Sequence, residues 1–121
     1  APAYRQTGPN IITEVIGTFV LVFGVLGISA NAGAVGGNLA DVIATGINPL
    51  LVGLLVLGIG LSLGGPTGYA INPARDLGPR IAHAVLPIAG KGSNDWEYSW
   101  IPVVGPIVGG IIGAVLFTIL F

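Results

Sequence analysis

The sequence predicts an all-α membrane protein, a helical bundle of three transmembrane helices plus one re-entrant half-helix. Three observations carry this. Apolar residues fill 53% of the 121 positions and charged residues only 7%, whereas soluble domains carry roughly a quarter charged residues. The apolar residues lie in long runs instead of forming one stripe, as an amphipathic surface helix requires, so the preferred solvent is lipid. Between the second and third runs stands a broken segment whose helical part is too short to cross a bilayer.

The first run extends from about Ile11 to Ala30 and is interrupted by Glu14. The second extends from Ile47 to about Gly64, and the last from Trp100 to Phe121. Each is near the roughly 20 residues that a helix needs to cross the hydrocarbon. A stretch rich in Gly, Asn and Ala, Asn31 to Gly46, reads as the loop between the first two, with Asp41 solvated in it. If Tyr4, Trp96, Tyr98 and Trp100 mark one interface, as amphipathic rings do, the three spans leave a hairpin that starts and ends on that face.

That hairpin occupies about 65–86. Gly64-Gly65-Pro66-Thr67-Gly68 breaks the helix, and Tyr69-Ala70-Ile71 leads into Asn72-Pro73-Ala74-Arg75-Asp76. Apolar Ala74, Leu77, Ile81, Ala82 and Val85 then recur at helical spacing until Pro87. Irregular backbone at membrane depth is tolerated only where protein buries it or water lines it, so the segment predicts a cavity. Asn is a preferred N-cap and Pro a preferred first helical residue, so Asn72-Pro73 starts a helix inside the bilayer. Its N-terminus carries about half a positive charge and unpaired N–H donors. Arg75 adds a fixed charge with five donors, and a charge at membrane depth points to function. Asp76 and Arg80 are spaced for an ion pair in the favourable order, which leaves Arg75 to face the cavity. Pro79 removes one backbone hydrogen bond and frees the Arg75 carbonyl.

Composition also excludes several classes. The formal net charge is -1 and there is no cysteine, so neither a basic nucleic-acid surface nor a thiolate site is expected. The single histidine, His83, and the five acids are scattered. They suggest no metal site, no cofactor and no nucleophile–base pair, hence no enzyme; His83 reads as structural or interfacial. Residues Ala1 to Asn10 are polar, with Arg5 the one charge and no cleavable signal. The chain therefore reads as part of a longer protein. Gly105, Gly109 and Gly113, with Gly17 and Gly24, form ridges for close helix packing. The residues alone leave Glu14 either solvated near the interface or buried against protein.

The stretch from Gly64 to Arg80 closely resembles the second signature loop of the major intrinsic proteins, the family of aquaporins and glycerol facilitators, and the likeness extends over nearly the whole chain. Asp76 with Arg80, and Pro102 with Val103, resemble the glycerol-facilitator (aquaglyceroporin) branch, in its second, C-terminal half. The resemblance implies an aquaporin-like bundle, here one of two inverted repeats, in the cell membrane. It implies a passive channel for glycerol and small neutral solutes, with water. A mainly water-selective pore is the alternative within the fold, and a non-conducting half-channel acting only in assembly is the alternative outside it. Implied partners are the other repeat, the lipid bilayer and three further copies in a homotetramer. The pore would be lined by Gly60, Tyr69, Ala70, Asn72, Pro73, Ala74 and Arg75, with Glu14, Asp76 and Arg80 as structural supports. Gly60 would leave width for solute, Glu14 would brace the signature loop, and Tyr69 departs from the family's Phe.

Overall fold

The computed structural model describes residue 2 and residues 4–121; Ala1 and Ala3, at the polar start, lie outside the described residues. Helix α1 (Thr7–Val35) is followed by α2 (Gly37–Val42), a π-helical turn (Ile43–Ile47) and α3 (Asn48–Thr67). Helix α4 (Pro73–Val85) and helix α5 (Ile101–Leu120) complete the chain. Among the described residues, three helical stretches are long and apolar enough to cross a membrane: Thr7–Val35, Gly37–Thr67 and Ile101–Leu120. The 13-residue α4 is not among them.

The expected loop at Asn31–Gly46 is instead largely helical. Ala32, Ala34 and Val35 carry α1 onward, and Leu39, Ala40 and Val42 start the next helix almost at once. The chain reverses at Gly36, whose φ of +69° suits a residue without Cβ. The π-helical turn has its own local cause. Pro49 lacks an N–H, and its ring would crowd the carbonyl of Thr45 in a regular α-helix. The wider turn ends with Asn48 N–H donating to Ile43 C=O, five residues back.

Helix α1 is the central element, with α5 on one side and α3 on another. The glycine ridge on α5 meets α1 backbone to backbone. A Cβ at Gly109 would come within 2.2 Å of Val15 O, and one at Gly113 within 2.9 Å of Phe19 O. At Gly105 it would lie 2.7 Å from Glu14 Cβ. In the absence of a hydrophobic force between helices in lipid, such close van der Waals contact is what holds them together. On the α3 side, Gly24 accommodates the Leu55 side chain. Phe23 packs edge-on against Phe117 at the far end, with centroids 5.6 Å apart.

The opposite end is tied by polar contacts. Asn10 Nδ2 donates to Tyr4 O at 2.7 Å and to the Tyr98 hydroxyl at 3.1 Å, while Arg5 pairs with Asp95 at 2.7 Å. Tyr4 and the 96–100 segment therefore share one end of the molecule. Tyr4, Trp96 and Trp100 are exposed there, but Tyr98 is buried, so Tyr98 anchors protein to protein instead of marking the interface.

Candidate functional site

The linker between α3 and α4 is drawn toward the middle of α1. Ile71 packs on Gly17, where a Cβ would come within 2.9 Å of Ile71 Cγ2. Gly17 lies ten residues beyond Thr7, the start of α1, or about 15 Å along the axis at 1.5 Å per residue. That is about half of a 30 Å hydrocarbon layer. From there α4 runs back toward the end that carries Asn94 and Asp95, where Arg80 Nη1 donates to both of their carbonyls, at 2.7 and 2.6 Å.

Glu14 fixes the linker from behind. It is buried, with 1% of its surface exposed. Its carboxylate oxygens accept from Ala70 N–H at 3.0 Å and from Ile71 N–H at 2.6 Å. All peptide bonds here are trans, and in a trans peptide the carbonyl points away from its N–H. The Tyr69 and Ala70 carbonyls must therefore face away from Glu14, into the concavity on the other side. Tyr69 and Ile71 have φ of 43° and 42°, a region that costs non-glycine residues about 1–3 kcal/mol each. The Glu14 hydrogen bonds offset this strain, as does the bond from Tyr69 N–H to Thr67 Oγ1 at 3.2 Å.

Asn72 caps α4 through its Oδ1, which accepts from Ala74 N–H at 2.8 Å. Since only the oxygen can accept, the Nδ2 group is left as a donor on an exposed side chain. Pro73 takes a position in the first helical turn, and α4 continues as helix through Pro79.

The two arginines of α4 are treated differently. Arg80 is enclosed: Nε and Nη2 meet the Asp76 carboxylate at 2.9 and 2.7 Å, and Nη1 takes the two carbonyls above. Arg75 is exposed. Its Nη1 donates to Tyr69 O, and its Cζ lies 4.4 Å from the centroid of the Tyr69 ring. Among the described residues nothing accepts from its Nε or Nη2, and Arg75 lines the concavity beside Tyr69.

Leu21, Val56, Tyr69, Ala70, Ile71, Asn72 and Arg75 line this space, of about 300 Å³. A second concavity of about 420 Å³ adjoins it through Val56 and Tyr69 and continues along α3 past Gly53, Leu57, Gly60 and Leu61. Gly60 lines that second concavity and also faces the Tyr69 ring: a Cβ there would lie 3.1 Å from Tyr69 Cζ. Ala74 is exposed beside Arg75.

Several contributors escaped sequence reasoning. Val56 and Gly53 stand four and seven residues before Gly60, the spacing of one helix face, so periodicity contained them. Thr67 and Leu21 had no such signal. Lys91 Nζ donates to the carbonyls of His83, Ala84 and Leu86 at 2.9–3.0 Å, closing the C-terminal end of α4. His83 Nδ1 meets Asn94 Oδ1 at 2.7 Å. Asp41 is exposed and lines a separate space of about 600 Å³ near the α1–α2 turn. Outside the spans, burial raises the Tyr98 phenol above its ordinary pKa, an effect that the Asn10 hydrogen bond partly offsets.

The polar groups thus share one concavity. Tyr69 and Ala70 carbonyls accept, Asn72 and Arg75 donate, and Leu21, Val56 and the Tyr69 ring supply apolar walls. The sequence pattern of the Major intrinsic protein family matches residues 2–117. The chain belongs to this family. Among curated proteins it is 64% identical to the probable glycerol uptake facilitator protein of Thermotoga maritima and 60% identical to the glycerol uptake facilitator protein of Bacillus subtilis. Each match covers 86% of this chain, and 40% and 34% of those proteins respectively. It is also 48% identical to a D/L-lactic acid transporter of Lactiplantibacillus plantarum, over 84% of this chain and 38% of that protein. The chain thus spans two-fifths or less of the length of these relatives. With its three apolar membrane-length helices, this major intrinsic protein is an integral membrane protein with an aquaporin-like, all-helical fold among the described residues.

Proposed function

We propose that this chain forms one wall of a passive transmembrane channel for glycerol and other small neutral solutes, with water passing beside them. The observation that carries the reading is one concavity lined both by polar Tyr69, Ala70, Asn72 and Arg75 and by apolar Leu21 and Val56. A polyol has the matching shape, with hydroxyls on one edge and C–H groups on the other. Each hydroxyl both donates and accepts, so carbonyls and guanidinium serve it in turn. The guanidinium and the positive end of α4 repel cations at the same point. Relatives named as glycerol uptake facilitators, at 64% and 60% identity, support glycerol as the solute.

The opposite wall comes from the complementary repeat, and the complete channels assemble as a homotetramer with one pore per subunit. Gly60, Tyr69, Ala70, Asn72, Pro73, Ala74 and Arg75 line the path in this reading; Glu14, Asp76 and Arg80 hold the backbone that presents them. The protein transports and catalyses no reaction.

The test is the permeability of liposomes containing the complete protein to water, glycerol, urea and longer polyols, followed by light scattering after an osmotic step. Glycerol flux well above that of empty liposomes supports the reading. Water flux without glycerol flux indicates a water pore, and flux of neither indicates a non-conducting assembly.

A further inference from the structure

We infer that Gly64 is a positioning residue for the selective part of the channel, acting through the ring of Tyr69; the inference rests on the pore reading above. Two glycines one turn apart on α3 form the seat of that ring. At Gly60 the atoms nearest to an added Cβ are Tyr69 Cζ, Cε1 and Cε2, at 3.1, 3.3 and 3.3 Å. The hydroxyl is not among them, so this Cβ would stand over the ring face and not beyond its tip. At Gly64 the nearest atom is Cδ1, at 2.9 Å, the end of the ring next to its own Cβ. The ring therefore packs along α3, with the face of its outer end on Gly60 and the Cδ1 edge of its inner end against Gly64.

The inner end has the least freedom. Tyr69 N–H is held by Thr67 Oγ1, the next two N–H groups by Glu14, and Tyr69 O by Arg75. A methyl at Gly64 cannot be relieved by moving this backbone, so the ring must rotate off α3. A planar aromatic ring has no flexible tip to bend aside. Tyr69 lines both concavities, and its centroid stands 4.4 Å from Arg75 Cζ. Lifting the ring narrows the passage and changes its placement against the guanidinium. Wide solutes lose more than water does. The neighbouring Gly65 has nothing within 4 Å of an added Cβ and serves as a control on the same helix.

The experiment measures water, urea, glycerol and longer-polyol permeability of the complete protein in liposomes, for wild type, Gly64→Ala, Gly65→Ala, Tyr69→Leu and the Gly64→Ala/Tyr69→Leu pair. Gly64→Ala is expected to lower the glycerol-to-water ratio several-fold, and longer polyols more, with Gly65→Ala unchanged. In the Tyr69→Leu background the added methyl should have no effect, because the ring it displaces is gone. An unchanged ratio in Gly64→Ala overturns the inference. So does an equal loss in both backgrounds, which means Gly64 acts through other packing; this second comparison also decides the matter if Gly64→Ala alone fails to fold. Wild type passing water but no glycerol sinks the glycerol reading alone, and the seat is then read from a fall in water flux. Wild type passing nothing sinks both.

Discussion

Glu14 on α1 accepts a 2.6 Å hydrogen bond from the backbone N–H of Ile71, 57 positions later in the chain. This bond and its companion to Ala70 turn a charge buried in a span into a support for two outward-facing carbonyls. A carboxylate with two oxygens matches two successive N–H groups, which a shorter or neutral side chain does not.

Glu14→Ala should leave both N–H groups unpaired beside a strained backbone. A buried hydrogen bond to a charged group contributes about 1.5–3 kcal/mol, so thermal unfolding in detergent should show a loss of about 3 kcal/mol or more. Glu14→Gln keeps one acceptor oxygen and should lose less. Equal stability of all three proteins would contradict the brace.

The glycine ridge on α5 makes a sharper contrast between neighbours. A Cβ at Gly109 would overlap Val15 O at 2.2 Å, whereas at Gly110 the nearest atom is Val22 Cγ2 at 3.6 Å. Gly109→Ala should destabilise by about 3 kcal/mol or more through forced separation of α1 and α5. Gly110→Ala should change stability by less than about 1 kcal/mol. Melting curves of the two variants test this directly.

Tyr69 carries the one polar atom on the aromatic wall. Tyr69→Phe keeps the ring on Gly60 and Gly64 and its stacking with Arg75, but removes the hydroxyl. The glycerol-to-water permeability ratio should rise modestly, because the wall facing C–H groups becomes wholly apolar. A ratio that stays the same would mean that the hydroxyl does not meet the solute.

Tyr98 gives a pH dependence. Its folded pKa is raised by burial, so the neutral phenol is the form the fold favours. The associated stability is complete below the usual phenol value of about 10 and is lost as pH rises through the higher folded value. Wild type should therefore lose more thermal stability than Tyr98→Phe between neutral pH and the phenol range. Parallel losses would contradict it.

Local signals made part of the fold legible, although α3 continues through Gly64, Gly65 and Pro66 to Thr67, where those residues had suggested a break. Asn72-Pro73 announced a helix start by capping chemistry, and Gly105, Gly109 and Gly113 announced close packing by their spacing. The 31–46 stretch misled because its glycines and asparagines look like loop, while Leu39, Ala40 and Val42 needed only Gly36 as a break. At the candidate site, the separation of Arg75 from Arg80 followed from the four-residue spacing to Asp76. What depended on distant contacts did not follow. The Tyr69 ring filling the space above Gly60, and the left-handed φ of Tyr69 and Ile71, arise from helices that meet only in the folded molecule.

In the proposed channel solute passes between α3 and the linker, and Val56 lines both concavities there. The most direct measurement is glycerol and water flux through liposomes containing the complete protein with Val56→Trp, beside wild type at equal protein content. Wild type should pass glycerol and the variant should lose both fluxes, with the protein still monodisperse. Wild-type fluxes persisting in Val56→Trp would contradict that path.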